Sequence, residues 1–464
     1  MDFQLQSFNN FFFIGIAGTG MSAIAQYLHG VGKQVSGSDR LFGSNAKIEI
    51  EQQFESMGIN CFFQDGSGIT DQTQVVVIST AIEESNVELQ KARQQGKTVV
   101  KRSELLAAIS SEKKTIAVGG TSGKSTTTAM IFHILEHNGF SPSLMTGAGL
   151  SSLQEKGLLG NAWVGESDWL VIESDESDGS IVNYKPEIAL VLNIDRDHKE
   201  FDELMFLFQT FKDNTRGAFI VNQDYALSKS LSQNISQDFG TTTNAGFVGS
   251  DYIQEGFSIH FTCKDSRFDV PVIGRHNMEN TLAAIAACAC VGVSVDDCAT
   301  AMKTYRGIYR RTQLTGVKNG VYVIDDFAHN PSEVAAAIKA CQAVGKRVHA
   351  WFQPHGYGPL RFMHQDFITE VSAVLRKEDT FYVSDVYYAG GTVAMDIQSD
   401  VLIEPMKAKG TNAIYVADRK DLVLTINKDL RKGDVILIMG ARDTGLSAFA
   451  AEVYKDIAAT QLKN

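Results

Sequence analysis

The sequence has few prolines, no excess of basic residues and no long apolar run. Seven prolines in 464 residues are well below the roughly 5% typical of proteins, so we expect short joints rather than proline-rich linkers. The 42 lysines and arginines face 54 aspartates and glutamates, a net charge of −12, which argues against a nucleic-acid-binding protein because such a protein needs a basic face. No stretch approaches the roughly 18–20 apolar residues that span a membrane, and no secretory signal begins the chain.

Cysteines are also scarce. The six of them are scattered through apolar or helical contexts, and no histidine or cysteine cluster beside Cys288-Ala289-Cys290 completes a metal-binding set. We therefore expect reduced thiols in the core of a cytoplasmic protein.

Strand-like apolar runs alternate with helical lengths along the whole chain, which is typical of α/β architecture. A length of 464 residues predicts two to four domains at about 100–200 residues each. We divide the chain into residues 1–109, 110–306 and 307–464, with doubly wound sheets in the first and last. Within the second, the polar stretch Ser230–Ser266 predicts loops with short antiparallel strands.

A glycine-rich stretch, Gly119–Thr128, lies between a predicted strand, Thr115–Val118, and a helix predicted over Lys124–His137. Backbone N–H groups of such a loop form an anion site, to which the helix N-terminus adds partial positive charge. Lys124 suits the β/γ-phosphates of a nucleotide and Ser125 suits Mg²⁺. The complete phosphate-loop pattern is not met, because Val118 stands at its first glycine position, so an ordinary strand–helix turn is the alternative.

Two acidic segments follow further predicted strands. Glu173–Asp178 begins where the strand Trp169–Glu173 ends, and Asn193–His198 lies at the end of the strand Ile188–Ile194. Carboxylates at the carboxyl ends of such strands lie where α/β sheets bind ligands, and Mg²⁺ prefers oxygen ligands. A solvated loop is the alternative for the first segment alone. Its position after a phosphate loop favours a ligand site.

A second glycine-rich turn, Gly15–Met21, also follows a strand and opens a helix. Asp39 comes about 20 residues later, which suits a ribose or diphosphate in a Rossmann-like crevice. The glycine spacing is not that of the dinucleotide fingerprint, so a nicotinamide cofactor is only weakly indicated. A purely structural tight turn is the alternative.

Taken together, these motifs resemble those of the Mur ligases, ATP-dependent amide-forming enzymes of peptidoglycan assembly. The resemblance covers essentially the whole chain and implies a Rossmann-like domain for a UDP-sugar, a central phosphate-loop ATPase domain and a Rossmann-like domain for the acceptor amine. It rests on the following segments in order: Gly120–Ser125, Glu173–Asp178, Asn193–His198, His276–Asn280, Arg310-Arg311 and Asp325–His329.

Within the family, the chain is most similar to the members that use L-alanine. The resemblance implies that the carboxylate of UDP-N-acetylmuramate is joined to the amine of L-alanine through an acyl phosphate. A tripeptide is the alternative acceptor, because Asp325-Asp326-Phe327-Ala328-His329 is typical of the tripeptide-recycling members. The residues that support the alanine-using members are Gly18–Ser22, Ser36–Asp39, Ser79–Ile82, Phe352–His355 and Asp385–Tyr387.

The resemblance also implies a set of site residues. For catalysis these are Lys124, Glu173, His198 and Arg311, with Glu173 also a candidate general base. The implied ATP-binding residues are Gly120, Thr121, Ser122, Gly123, Lys124, Ser125, Thr126, Asn277, Asn280, Arg311 and Asp326, and those for Mg²⁺ are Ser125, Glu173 and His198. The implied substrate-binding residues are Gly18, Thr19, Gly20, Met21, Ser38, Asp39, Ser79, Thr80, Ala81 and His355. Helix capping by Asn277 and Asn280, and solvation of Arg310-Arg311, are the alternatives.

Several positions depart from the family pattern. Ser122 and Ser125 replace a histidine and a threonine, and the second change keeps the hydroxyl that suits Mg²⁺. Gly356 and Gly391 stand where an arginine and a glutamate are usual, so the acceptor pocket differs in charge, and Asn330 replaces a second histidine. These departures leave open a non-catalytic nucleotide-binding regulator. A nicotinamide-dependent oxidoreductase is a third hypothesis, which leaves the central phosphate loop unexplained.

Overall fold

The computed structural model describes residues 3–43, 47–195, 200–242, 244–388, 394–427 and 429–457. The chain folds into two compact units. Unit 1 comprises Met1–Gly249, Cys263–Ser266 and Glu279–Ile308, and unit 2 comprises Ser250–Thr262, Arg267–Met278 and Tyr309–Asn464. The three-domain boundaries at 109/110 and 306/307 stay predictions.

Unit 1 begins with a five-stranded sheet in the order β3-β2-β1-β4-β5, in which all neighbouring strands are parallel. Phe11 and Phe13 pack into a different apolar cluster from Phe12 and Ile14, because successive side chains of a strand point to opposite faces. Both faces are therefore buried, as in a Rossmann-like domain. The elements are β1 (Asn10–Ile14), α1 (Thr19–Gly30), β2 (Gln34–Asp39), α2 (Glu49–Met57), β3 (Asn60–Phe63), β4 (Val75–Ile78), α3 (Val87–Gln94), β5 (Thr98–Lys101) and α4 (Arg102–Ser111).

A six-stranded sheet follows in unit 1, in the order β11-β10-β6-β9-β7-β8. Only β8 runs antiparallel to its neighbour, so the loops after β6, β9 and β10 leave the sheet at one edge. The strand predicted over Ile188–Ile194 ends earlier, at Val191. The elements are β6 (Lys114–Gly119), α5 (Lys124–His137), β7 (Ser143–Met145), α6 (Ser151–Gln154), β8 (Ala162–Trp163), β9 (Trp169–Glu173), β10 (Ile188–Val191), α7 (Phe201–Asp213), β11 (Ala218–Val221) and α8 (Ala226–Ser230).

A four-stranded sheet in the order β12-β13-β14-β15 comes next in the chain. It corrects the prediction for Ser230–Ser266, because β13 is nine residues long and pairs parallel with β12. The unit boundary falls within β13, β14, β15 and α9. The elements are β12 (Phe239–Gly240), β13 (Phe247–Glu255), β14 (Ser258–Cys263), β15 (Ser266–Val270), α9 (Arg275–Val291) and α10 (Val295–Met302).

The remaining sheet of unit 2 has the strand order β16-β17-β21-β18-β19-β20, and only the edge strand β16 is antiparallel. Its two faces carry separate apolar clusters, with Trp351 in one and Phe352 in the other. The elements are β16 (Gln313–Lys318), β17 (Val321–Asp326), α11 (Pro331–Gln342), β18 (Arg347–Gln353), α12 (Tyr357–Val374), β19 (Thr380–Val383), α13 (Ile403–Ala408), β20 (Asn412–Tyr415), α14 (Leu422–Ile426), β21 (Asp434–Gly440) and α15 (Leu446–Asp456).

Two expectations from composition can be compared with the structure. All six cysteines are free thiols, and four of them are buried. No helix among the described residues combines the length and apolarity needed to cross a membrane.

Candidate functional site

The glycine-rich loop between β6 and α5 is hydrogen-bonded to the segment that follows strand β10. Asn193, which follows the neighbouring strand β10, accepts a hydrogen bond from the backbone N–H of Ser122 at 2.8 Å and donates one to the Ser122 carbonyl at 3.0 Å. The hydroxyl of Thr121 donates to the carbonyl of Asp195 and accepts from its N–H. These bonds fix the backbone of the loop, which preorganises an anion site.

Lys124, the first residue of α5, lies among carboxylates. Its Nζ donates to Glu176 Oε2 at 2.9 Å and to the carbonyl of Gly120 at 2.6 Å. Burial alone would lower the pKa of Lys124, but the charges of Glu176 and Asp175 outweigh it, so the pKa is raised. The ammonium is therefore charged at neutral pH and paired with Glu176.

The acidic loop after β9 supplies further oxygen atoms. Glu173 Oε1 accepts hydrogen bonds from the Thr146 hydroxyl and from the N–H of Gly147, the latter at 2.7 Å. Asp175 is mostly buried, which raises the pKa of its carboxyl, but the Lys124 charge and hydrogen bonds from Ser177 more than compensate, so the pKa is lowered. Asp175 therefore carries negative charge, as an oxygen ligand for a divalent cation requires.

The turn between β1 and α1 is fixed by the end of β2. Asp39 accepts a hydrogen bond from the N–H of Ala17 at 3.1 Å, and the carbonyl of Ser38 accepts from the N–H groups of Gly15 and Ile16. The Ser38 side chain is fully buried and donates to Glu88. Ser38 therefore stabilises this turn through its backbone carbonyl. The turn lies at the point where the strand order reverses between β1 and β4, the usual ligand position of such a sheet.

These parts of unit 1 line one cleft of about 330 Å³. Its lining combines the turn after β1 and the start of α1 with Lys124 and residues of the acidic loop. The lining residues include Gly15, Gly18, Thr19, Gly20, Met21, Ser79, Arg102, Lys124, Thr146, Gly147, Glu173 and Asp175.

Helix α9 carries both predicted adenosine-binding asparagines, each described within its own unit. In unit 1, Asn280 Oδ1 accepts a hydrogen bond from the Thr127 hydroxyl of α5 at 3.3 Å, which places Asn280 beside the phosphate-loop helix. In unit 2, Asn277 Nδ2 donates to the carbonyl of Ile273 at 2.8 Å, a local bond within the start of the helix. The two asparagines thus differ in what they contact.

In unit 2 the adjacent arginines have different environments. Arg310 is buried, its Nε lies 3.1 Å from Asp325 Oδ1, and its Nη2 donates to the carbonyl of Gly440. Arg311 is about a quarter exposed, lies 5.2 Å from the centre of the Phe327 ring and stands 3.9 Å from Glu333. Arg310 is therefore part of the core. Of the two arginines, only Arg311 has the exposure expected of a ligand-binding residue.

A titratable cluster surrounds Arg311. Burial raises the pKa of Asp326 to about 6, against the opposing charge of Arg311, and the carboxylate accepts hydrogen bonds from the N–H groups of Thr312 and Ala328. Burial, with a contribution from Arg311, lowers the pKa of His276 to about 4, so that imidazole is neutral at pH 7.

The carboxyl end of β18 carries the predicted acceptor residues. His355 is buried, with its ring 5.0 Å from that of His329. Gly356 has φ +96°, a conformation that an arginine adopts only with strain. The glycine at this position therefore permits a backbone conformation that disfavours the arginine usual in the family. Gly391 and His198 lie outside the described residues.

Comparison with known proteins identifies the family of this chain. Three models match the chain in succession: the Mur ligase family, catalytic domain, over residues 10–114; the Mur ligase middle domain over 118–288; and the Mur ligase, glutamate ligase domain, over 310–442. A UDP-N-acetylmuramate–L-alanine ligase of Pelotomaculum thermopropionicum is 34% identical over 93% of this chain and 94% of its own length.

The chain belongs to the Mur ligase family.

Two solved structures share its fold. A UDP-N-acetylmuramate–alanine ligase from Thermotoga maritima has a TM-score of 0.78 at 24% identity and covers 96% of this chain and 98% of its own. A murein peptide ligase from Psychrobacter arcticus has a TM-score of 0.67 at 20% identity and covers 98% of this chain and 100% of its own. The predicted three-part α/β architecture of a Mur ligase is thus confirmed, and the chain is an ATP-dependent ligase.

The sequence did not single out three residues in or beside this Mur ligase cleft, two of which are bonded to its lining residues. Glu176 and Asp178 were seen only as members of an acidic run, and Arg102 was not singled out at all. Arg102 lines the cleft, and its guanidinium donates to Asp178 at 3.0 Å. The available signal was the position of Arg102 directly after β5, at the edge of the sheet where ligands bind.

Proposed function

We propose that this Mur ligase joins the carboxylate of UDP-N-acetylmuramate to the amine of L-alanine, with ATP converted to ADP and phosphate, in peptidoglycan precursor synthesis. The observation that carries this proposal is the single cleft lined by the Gly15–Met21 turn, Lys124 and Glu173. This cleft brings a glycine-rich turn, a cation and carboxylates together. We place the reaction in the cytoplasm, where ATP is available.

The chemistry requires activation of a carboxylate. A carboxylate oxygen of the muramate attacks the γ-phosphorus of ATP, and the bond to the β-phosphate oxygen breaks to release ADP. The amine then attacks the acyl carbon, inorganic phosphate leaves, and the amine proton passes to a base. Catalysis of the first step is mainly positioning and charge neutralisation, which we assign to Lys124 and, in unit 2, Arg311. Glu173, held by Thr146 and Gly147, is our candidate base.

The residues present fit Mg²⁺. The Ser125 hydroxyl and the Glu173 carboxylate are hard oxygen donors, and a magnesium site on a nucleotide usually needs only one or two protein oxygens beside phosphate and water. We propose that these two residues hold the ion, with His198 as a third candidate. Bound Mg²⁺ would supply neutralisation of phosphate charge.

The remaining contacts extend the same proposal. We assign Asn280, Asn277, Asp326 and the loop residues Gly120–Thr126 to ATP. The turn after β1 with Asp39, and the segment Ser79–Ala81, are assigned to the UDP-sugar, and His355 to the acceptor. Two anionic reactants repel at short range unless cations lie between them, so the charged members of this set are expected to matter most.

Turnover measurements test the proposed reaction. We expect phosphate release from ATP that requires both UDP-N-acetylmuramate and L-alanine, and little release when either is left out. The assay uses the full chain with Mg²⁺, and glycine, L-serine and an L-alanyl tripeptide are compared as acceptors. If no acceptor stimulates phosphate release, the ligase proposal is wrong for this chain.

A tripeptide acceptor is the second candidate. It is favoured by Asp325–His329 and by Gly356, which stands where an arginine is usual in the alanine-using members. Preference for the tripeptide over L-alanine in the same assay would reassign the acceptor without affecting the phosphoryl-transfer proposal. A regulator without catalysis would bind ATP and release no phosphate with any acceptor.

The Lys124–Glu176 ion pair gives a second prediction. In Glu176→Gln the nucleotide no longer competes with a carboxylate for the Lys124 ammonium, so we expect ADP to bind about fivefold more tightly, the equivalent of about 1 kcal/mol. Calorimetric titration measures the change, and the exposed Glu166→Gln variant is the control for lost negative charge. Unchanged or weaker ADP binding in Glu176→Gln would mean that the pair persists with nucleotide bound.

A further inference from the structure

The cleft of unit 1 contains a second cation besides Lys124. Arg102 is the first residue of α4 and follows β5, which pairs with β4 in the parallel sheet. This position brings it to the same sheet edge as the turn after β1 and the Ser79 segment. Its side chain is 23% exposed and lines the cleft. A cation with access to a ligand thus lies on the side of the cleft away from the phosphate loop's own sheet.

The guanidinium lies directly against the glycine-rich turn. A Cβ atom added to Gly20 would lie 3.1 Å from Arg102 Nη1 and 3.3 Å from its Cδ. A side chain at position 20 would require Arg102 to shift by a few tenths of an ångström, and Gly20 does not have the positive φ that would by itself require glycine. The absent side chain therefore leaves the space that the guanidinium fills.

One carboxylate holds the guanidinium in this position. Asp178 Oδ2 accepts from Arg102 Nη2 at 3.0 Å, which uses one of the five N–H groups of the side chain. Asp178 belongs to the same short loop as Glu176, which holds Lys124 in the same way. Both cations of the cleft are thus paired with acids two positions apart in the sequence.

The charges of the cleft and of the reactants indicate a role for Arg102. Two carboxylates, Glu173 and Asp175, also line the cleft, and they repel an anionic substrate. If Lys124 serves the phosphates of ATP, the diphosphate of a UDP-sugar needs another cation. An arginine fork is well suited to phosphate oxygens, which it contacts through parallel N–H groups.

From these contacts we infer that Arg102 binds the diphosphate of the UDP-sugar, and that Asp178 holds its guanidinium until the diphosphate replaces the carboxylate. The inference rests on the proposed function and adds a substrate-binding residue to it. The ion pair is exchanged: the bond to Asp178 is lost and bonds to phosphate oxygens form.

Comparison of UDP with uridine isolates the diphosphate contribution. By calorimetric titration of the full chain, we expect UDP to bind more tightly than uridine. Arg102→Ala should weaken UDP binding about tenfold and leave uridine binding unchanged, because a charge-assisted bond to phosphate is lost. Arg102→Lys, which keeps the charge and loses the fork, should lie between the two. Lys101→Ala, one residue earlier and exposed, is the control for lost positive charge.

The Asp178→Asn variant separates binding from a structural role. It breaks the same ion pair but frees the arginine, so we expect UDP to bind about threefold more tightly. If the pair only braces the fold, both variants would weaken UDP and uridine alike, and the inference is overturned. It is also overturned, with the proposed function intact, if Arg102→Ala keeps the wild-type ratio of UDP to uridine affinity while turnover still requires UDP-N-acetylmuramate. Failure of the wild type to bind UDP would overturn both.

Discussion

Replacement of Lys124 by alanine is expected to reduce ATP turnover by about a thousandfold, because the group that neutralises charge on the transferred phosphate is lost. Phosphate release in the presence of UDP-N-acetylmuramate and the best acceptor measures the effect. The exposed lysine of α8, Lys229, replaced by alanine is the control for lost positive charge in unit 1. Turnover within tenfold of wild type in Lys124→Ala would contradict the proposed role of the loop.

The loss of Lys124 also leaves Glu176 buried without its cation, and an unpaired buried charge is strongly destabilising. A second variant, Lys124→Ala with Glu176→Gln, separates the two effects because it removes the unpaired charge. We expect its thermal stability to recover most of what Lys124→Ala loses, while turnover stays low. Recovery of turnover along with stability would show that the lysine acts only through the fold.

Much of the fold could be predicted because each buried parallel strand is a short apolar run that can be recognised from neighbouring residues alone. The helix predicted over Lys124–His137 and the strand over Trp169–Glu173 have the observed bounds, since each is a continuous run with a clear start and stop. Strand β16 was missed. It is a polar edge strand interrupted by Gly316, with a register shift beside that glycine, so its pairing depends on β17 rather than on its own residues.

The residues of the candidate site also fall into two groups: those that a local sequence pattern identifies, and those that only the tertiary fold brings together. Lys124 and Glu173 were found because a glycine-rich loop and an acidic run at strand ends are local patterns, and the structure brings both to one cleft. The ion pairs of that cleft have no local pattern. Glu176 is 52 residues from Lys124, and Asp178 is 76 residues from Arg102, so each pair follows from the tertiary fold. Their roles with ligands stay predictions.

Replacement by methionine should reduce mainly the stability of the protein at Arg310 and mainly its turnover at Arg311. Arg310→Met leaves Asp325 buried without its cation and removes the bond to the Gly440 carbonyl, so we expect a loss of about 3–5 kcal/mol in the free energy of unfolding. Arg311 is partly exposed; it makes a ring contact with Phe327 and a 3.9 Å approach to Glu333, and its charge also acts on Asp326. Arg311→Met should therefore cost no more than about 1 kcal/mol of stability.

The effects of the two replacements on turnover should have the opposite order to their effects on stability. If Arg311 neutralises charge on ATP as proposed, Arg311→Met is expected to lower turnover at least a hundredfold in a folded protein, whereas Arg310→Met should lose turnover only in proportion to its unfolded fraction. Urea unfolding and phosphate release on the same samples separate the two. A stable, active Arg311→Met protein would remove Arg311 from the site. An Arg310→Met protein as stable as wild type would contradict the buried ion pair, since no other cation among the described residues is paired with Asp325.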